Sequence, residues 1–550
     1  MRKPFLLKVA LFQFTLVIAL SAPSLAQEWK VRGHRGTLNI VDLGDASSSL
    51  FLNYCEGLVT LDKDNNMVPC LAEDWRWVND RTIEFRLREA VRFHNGEKFD
   101  AGAVGANWEA YRSMETPRFD PSFVIPDETV FEIINDYTVR FTFPEPDGLA
   151  LVKFRFFVQI APTFYKEHKF QEKNYGRLPE PGPWATGPFK LLEGNLRFGR
   201  PSERIVLEAN EDYWDARYPK VQRVVFENTL QGDRDEAMRL CREEEGAVDI
   251  VSHIRPLDTL KVAESPYAKM VKSKDVSWLG GGINQRKKDS KWRDVRLRKA
   301  LNYGINREEL WKYAARGNAY NLDGWVLPFS RDPDVAPYTY DTTKARSLLA
   351  QAGYPNGFEV NIIATEASKL EAQIISKMLE RIGLKVKLDV LTRSDWFSKR
   401  YQPLMDRPFE EQEWDLSIDF IHDWAGHVGA SSYFHCLKDS DWRVNEYDPV
   451  YDQMFWEMAT TVDRKEQEDK LRRLANYEYE QFLTLDVYSP ITLYAVNKEV
   501  NFTPHKSAFL LLKETSVTDS HWSVRGESSR LESTMNLAWD EIWPLPEGVE

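Results

Sequence analysis

The sequence predicts an α/β or α+β architecture of several lobes, and three observations carry that prediction. Residues 82–88 (TIEFRLR) and 137–143 (YTVRFTF) alternate apolar and polar side chains, the period of a half-buried strand. Residues 358–391 read as a strand, a helix and a second strand, the crossover unit of a parallel sheet. Residues 463–482 open on Asp463 with Glu466 three positions on, the start signal of a separate, charge-rich helix. No repeat, heptad or low-complexity stretch breaks this mixture.

Each element has a local reason. Arg2, Lys3 and Lys8, the apolar run 9–20 and the small-x-small step Ser24-Leu25-Ala26 make residues 1–26 a cleavable secretory signal. The run is short of the ~20 residues a membrane span needs. Residues 58–61 and 67–68 pair across the turn 63–66 as a hairpin, whose open end brings Cys55 towards Cys70 as a candidate disulfide. Asn95-Gly96 is a turn, and residues 220–226 are a further strand. Gly280-Gly281-Gly282 reads as a tightly bent crossing strand, since it lacks the helix register of a phosphate-binding loop. Residues 292–316 form two helical pieces, the second capped by Asn306 with Glu309. In the crossover unit, Leu370, Ile374, Ile375, Met378, Leu379 and Ile382 make one helical stripe, closed by Gly383. The cluster Pro179-Glu180-Pro181-Gly182-Pro183 is a candidate domain junction.

Composition removes whole classes of function. The formal net charge is −13, which argues against a broad nucleic-acid-binding face, and none is expected as a partner. Aromatics at 13 % exclude disorder, and 4 Cys are too few for a disulfide scaffold. No nucleophile-elbow, zinc-protease or phosphate-loop motif is present, so no enzymatic activity and no cofactor are expected. His422, Asp423, His427, His435 and Cys436 match no closed zinc spacing. The same stretch carries Trp414, Phe420, Trp424, Tyr433, Phe434 and Trp442 among small residues, a composition suited to core packing or to a ligand wall on which an indole stacks.

A series of motifs then runs through the chain in order. They are Cys55-Glu56-Gly57-Leu58-Val59, Leu71-Ala72-Glu73-Asp74-Trp75, Phe85-Arg86-Leu87-Arg88 and Val91-Arg92-Phe93-His94-Asn95-Gly96-Glu97-Lys98-Phe99. Thr186-Gly187-Pro188-Phe189, Asn210-Glu211-Asp212-Tyr213-Trp214, Gly246-Ala247-Val248-Asp249-Ile250, residues 292–301 and Ile305-Asn306-Arg307 follow. In this the chain resembles the extracytoplasmic solute-binding proteins of ABC transporters, family 5, which includes oligopeptide-, dipeptide- and nickel-binding proteins. The resemblance implies a two-lobed periplasmic-binding-protein-like fold (type II, cluster C) with a hinge and an inserted domain. It places lobe I at 27–62, 170–283 and 491–550, the extra domain at 63–169 and lobe II at 284–490. It implies a monomeric periplasmic receptor that closes over a solute and presents it to membrane permease subunits.

The resemblance also points to ligand contacts. In peptide-binding relatives a Trp-x-Ala/Gly-Asp-x-x-Asp-Pro segment supplies an Asp for the peptide's ammonium. Here the matching residues are Trp424-Ala425-Gly426-His427, with Ala430-Ser431 in place of Asp-Pro. A neutral imidazole lacks the carboxylate's attraction for an ammonium, so the site reads as more stacking and less ionic. Trp424, His427 and Trp396 are the expected ligand contacts, with Asn284 and Tyr494 beside them. The expected solute is peptide-like; an oligosaccharide stacked on Trp, or a nickel or metal chelate held by His422, His427 or His435, are the alternatives. A secreted hydrolase and a sensor that has lost transport are the remaining rivals.

Overall fold

The computed structural model describes residues 34–525, apart from 45, 114–123, 168–181, 197–201, 275, 322–331, 401–408, 423–436, 439–443 and 508. Strand β1 (Thr37–Val41) starts the first sheet, and β2 (Val59–Leu61) and β3 (Met67–Pro69) form the expected hairpin. An antiparallel sheet of order β4-β5-β7-β6 follows, from β4 (Ala72–Asn79), β5 (Thr82–Leu87), β6 (Val130–Asn135) and β7 (Thr138–Thr142). The two alternating runs of the sequence are its central strands, and Phe85, Phe141 and Phe154 fill its core against Trp108 from the helix Ala101–Ser113. The Asn95-Gly96 turn is set by the Gly96 backbone at φ 88°, a conformation glycine adopts without a Cβ penalty.

The chain then returns to the first sheet with β8 (Phe189–Glu193), β9 (Arg204–Ala209), β10 (Arg223–Glu227), β11 (Ile250–Val251) and β12 (Ala268–Ser273). The second sheet takes β13 (Ser277–Gly282), β14 (Ala319–Asn321), β15 (Glu359–Thr365), β16 (Lys385–Leu391), β17 (Leu416–His422) and β18 (Thr484–Pro490). The last long strand, β19 (Thr492–Asn497), goes back to the first. Spatial orders are β12-β19-β11-β1-β10-β9-β8 and β14-β18-β13-β17-β15-β16.

The crossover unit forms as its pattern dictates. β15 and β16 pair in parallel along their full length, and the intervening helix Lys369–Arg381 buries Ala372, Ile375, Met378 and Leu379 on the sheet. Gly383 ends it at φ 102°. Asn306 accepts from the Glu309 N–H at 3.1 Å and Asp463 from the Glu466 N–H at 2.9 Å, which satisfies helix-end donors as the sequence indicates.

Two expectations need correction. Ser277–Gly282, assigned with lobe I, pairs with β17 and β18 in the second sheet, so the chain crosses at 274–276 and not after 283. The reason lies in its glycines: a Cβ on Gly281 would overlap the Ser417 carbonyl, so only a bare backbone fits the slot. Cys55 and Cys70 are free thiols. The hairpin forms, but Cys55 lies in the core under the first sheet, whereas Cys70 lies in the core of the four-stranded sheet and points at the Glu56 carboxylate, 3.5 Å away. Burial pushes both thiols up in pKa.

Candidate functional site

Strand direction fixes where a site can be. β1 runs parallel to β10 and to β11, and β12 shares that direction because both it and β11 pair antiparallel with β19. The carboxyl ends of these strands therefore lie along one edge. β12 leaves the sheet at that edge and β19 enters beside it, with Ser273 opposite Thr492. In the second sheet β15 is parallel to β16 and β17. Ser277 pairs with His422, so β13 enters at the carboxyl end of β17, and β18 leaves there, with Tyr488 opposite Leu279. Both sheets thus turn their carboxyl edges towards the same pair of crossings, at 274–276 and at Ile491. Ligands of open α/β sheets bind outside such edges.

The first edge carries a polar knot. Asp42, one residue past β1, is 1 % exposed and accepts from Ser252 Oγ at 2.5 Å and from the Gly44 N–H at 3.0 Å. Ser252 Oγ also accepts from the Leu43 N–H at 3.0 Å. His253, next in the chain, places Nδ1 3.1 Å from the same oxygen. On the second edge, Thr365 at the end of β15 donates to Asp419 Oδ1 at 2.6 Å, and Ser368 Oγ donates to the Ile418 carbonyl at 2.9 Å.

The expected contacts fall in different places. Trp424 and His427 lie outside the described residues, two and five positions after His422, the last residue of β17. Trp396 is in the helix Arg393–Arg400 after β16; its ring is 4 % exposed and packed with Ile363, Trp414 and Val444. Tyr494 is fully buried on β19, its ring 5.2 Å from Phe502 and 6.2 Å from His253. Asn284 sits at the opposite edge. It is fully buried, its N–H donates to the Asp415 carbonyl ahead of β17, and its side chain bonds Gln412, the Trp414 carbonyl and the Lys287 N–H. It ties strand ends together and is remote from the crossing. Asp42, Ser252 and His253 are the residues that sequence reasoning passed over. The signal for them was the motif ending in Asp249-Ile250, which fixes β11 and hence the residues at its end.

A Ser–His–Asp order occurs elsewhere. Ser523 Oγ is 2.8 Å from His521 Nδ1, and His521 Nε2 is 3.1 Å from Asp249 Oδ1. Asp249 and His521 are fully buried, and Asp249 also accepts from the Trp522 indole at 2.9 Å, Asn497 Nδ2 at 2.9 Å and the Asn39 N–H at 2.9 Å. Asp249 precedes β11, at the edge away from the crossings. It clamps the segment 521–523 and the end of β19 to the first sheet. Among the described residues no group of three or more His, Cys, Asp or Glu side chains is arranged to hold a metal ion. No described helix is long and apolar enough to cross a membrane.

Comparison with known proteins agrees with this geometry. Residues 66–434 match the model of the bacterial extracellular solute-binding proteins, family 5. The glutathione-binding protein GsiB of Pectobacterium atrosepticum is 27 % identical over 386 residues, covering 68 % of this chain and 71 % of its own. Among solved structures, the periplasmic binding protein DppA of Helicobacter pylori in complex with the peptide STSA superposes with a TM-score of 0.73 at 19 % identity, over 89 % of this chain and 99 % of that one. NikA of Staphylococcus aureus in complex with Ni(L-His)2 gives 0.70 at 15 % identity, over 88 % and 100 %. These likenesses show the fold, that of two-lobed type II periplasmic binding proteins with an inserted domain. With a family model spanning most of its length, the chain belongs to the bacterial extracellular solute-binding proteins, family 5.

Proposed function

We propose that the chain is an exported receptor that captures a peptide-like solute between its two lobes and delivers it to an ABC importer. The observation that carries this reading is the shared direction of the two carboxyl edges, which meet at a pair of strand crossings. Such crossings are a hinge, and a solute that touches both edges shifts its equilibrium to the closed form. The lobes are built on the first and second sheets, with the four-stranded sheet as the inserted domain. Trp424 and His427, following β17, supply the second lobe's contacts. A nickel chelate is the second reading, favoured by His422 at the end of β17 and by the likeness to NikA.

Titration calorimetry of stripped, refolded protein tests both with reduced glutathione, the tetrapeptide STSA and Ni(L-His)2. Saturable binding of a peptide, insensitive to chelator, supports the first; binding of Ni(L-His)2 alone, abolished by EDTA, supports the second. Heat from none of the three, with no small molecule found by mass spectrometry in the periplasmic preparation, overturns both.

A further inference from the structure

One cation on the first edge has no counter-ion among the described residues. Arg234 opens the helix Arg234–Glu243, which follows β10 across the turn Asn228–Gly232 and leads back to β11. The residue is half-buried, and its Nη1 donates to the carbonyl of His253, two residues past β11, at 2.7 Å. The guanidinium therefore lies on the carboxyl edge, between the ends of β10 and β11. Two carboxylates are near it, and both are engaged by other cations. Asp258 accepts from Arg255 Nε at 2.8 Å and pairs with Lys261 at 3.4 Å, and Asp235 pairs with Arg255.

A guanidinium taken partly out of water without a partner is disfavoured. Burial and the like charge of Arg255 both act against it and lower its pKa. Nη1 is held by the His253 carbonyl, whereas Nε and Nη2 make no hydrogen bond among the described residues. Those two nitrogens form one side of the planar fork that binds a carboxylate by two parallel bonds.

We propose that Arg234 is the first lobe's anion-reading residue, which takes a carboxylate of the bound solute on Nε and Nη2. The inference rests on the carboxyl edges being the solute site. In the second lobe, the position that peptide-binding relatives use for an ammonium is matched by His427. Charge recognition in this chain thus passes to the acidic end of the solute. All three probes named above carry carboxylates.

Two measurements test it, one without any solute. Phenylglyoxal condenses with an accessible guanidinium, and peptide mass spectrometry reads the yield at Arg234. In the folded, stripped protein, labelling at a rate within about tenfold of the urea-unfolded chain is expected, because two of the three nitrogens are unengaged. An unlabelled Arg234 in the folded protein overturns the proposal. For any probe the wild type binds, its carboxylates are amidated one at a time. One of the amides is expected to bind about tenfold or more weakly than its parent, the loss of a charge-assisted pair. In Arg234→Gln that amide and its parent should bind alike. The solute-free unfolding midpoint checks that the variant folds; Arg234→Lys, which keeps the charge but not the fork, replaces one that does not. Equal effects of every amide on wild type and variant overturn the proposal. Should the wild type bind none of the probes, the proposed solute class fails on its own terms, and the labelling decides Arg234.

Discussion

At the scale of single residues, the buried carboxyls of the second sheet have a measurable consequence. The Thr484 hydroxyl lies within hydrogen-bonding distance of both Glu478, at 3.0 Å, and Asp486. One hydroxyl proton cannot serve two carboxylates, so the pair holds a proton of its own. Burial pushes Asp486 up to about 7 and raises Glu478 well above its usual range. Unfolded, Asp486 returns to 3.8. Between those values the folded chain binds more protons than the unfolded one, so stability falls as pH rises from about 4 to about 7. Asp486→Asn keeps a polar partner for Thr484 without the proton. It should remove a pH dependence on the order of a few kcal/mol, read by urea unfolding at pH 5 and pH 8. An identical slope in the variant would place the proton elsewhere.

The expected ligand residues show what a sequence tells about a side chain. Its approximate place in the chain was legible; its facing was not. Asn284 and Tyr494 were named from the resemblance, but a resemblance marks framework as readily as function, and both are fully buried. Trp396 follows a strand at the right edge, yet its indole packs inward. For His427 the sequence itself makes the prediction. His427→Asp restores the carboxylate of peptide-binding relatives, and affinity for STSA should rise about tenfold, the gain of one charge-assisted contact. Calorimetry showing no gain would remove the matched position of that residue.

Among elements, β13 shows most plainly how tertiary contacts decide local composition. Its three glycines press on different neighbours: Gly280 on the Asp486 carboxylate, Gly281 on the Ser417 carbonyl and Gly282 on the Arg400 guanidinium. Gly281 meets backbone, which cannot swing aside. Gly281→Ala is expected to cost about 3 kcal/mol or more in urea unfolding, because the slot between β17 and β18 must widen. The crossover unit, both capped helices and the alternating strands were legible because their signals are local. The short β11 and β14, and the pairing of β13, were not: their partners lie far along the chain, and no local period encodes a distant register.

Across the whole molecule, the inserted domain is joined to the second sheet's helical layer. The Gly148 N–H donates to the Ala459 carbonyl at 2.8 Å, and Leu149 is buried with Tyr451, Phe455 and Leu471. Behind them Lys153 and Asp147 form a buried ion pair at 2.5 Å. This contact ties the inserted domain to that helical layer without any solute. Leu149→Ala should weaken it by about 2–5 kcal/mol, the usual cost of emptying a leucine site. Faster hydrogen exchange over 449–481 and a larger radius of gyration by small-angle scattering, both without solute, are the expected readouts; unchanged values would mean that the contact does not restrain the lobes.

The position of β19 has a consequence for biosynthesis. It lies between β12 and β11, and Asp249 binds both its last residue and the segment 521–523. Every other strand of the first sheet is translated earlier, yet until β19 arrives β12 has no neighbour in that sheet and β11 is an open edge. A nascent chain of this design cannot close its first sheet before β19 has been made, however early the other strands emerge.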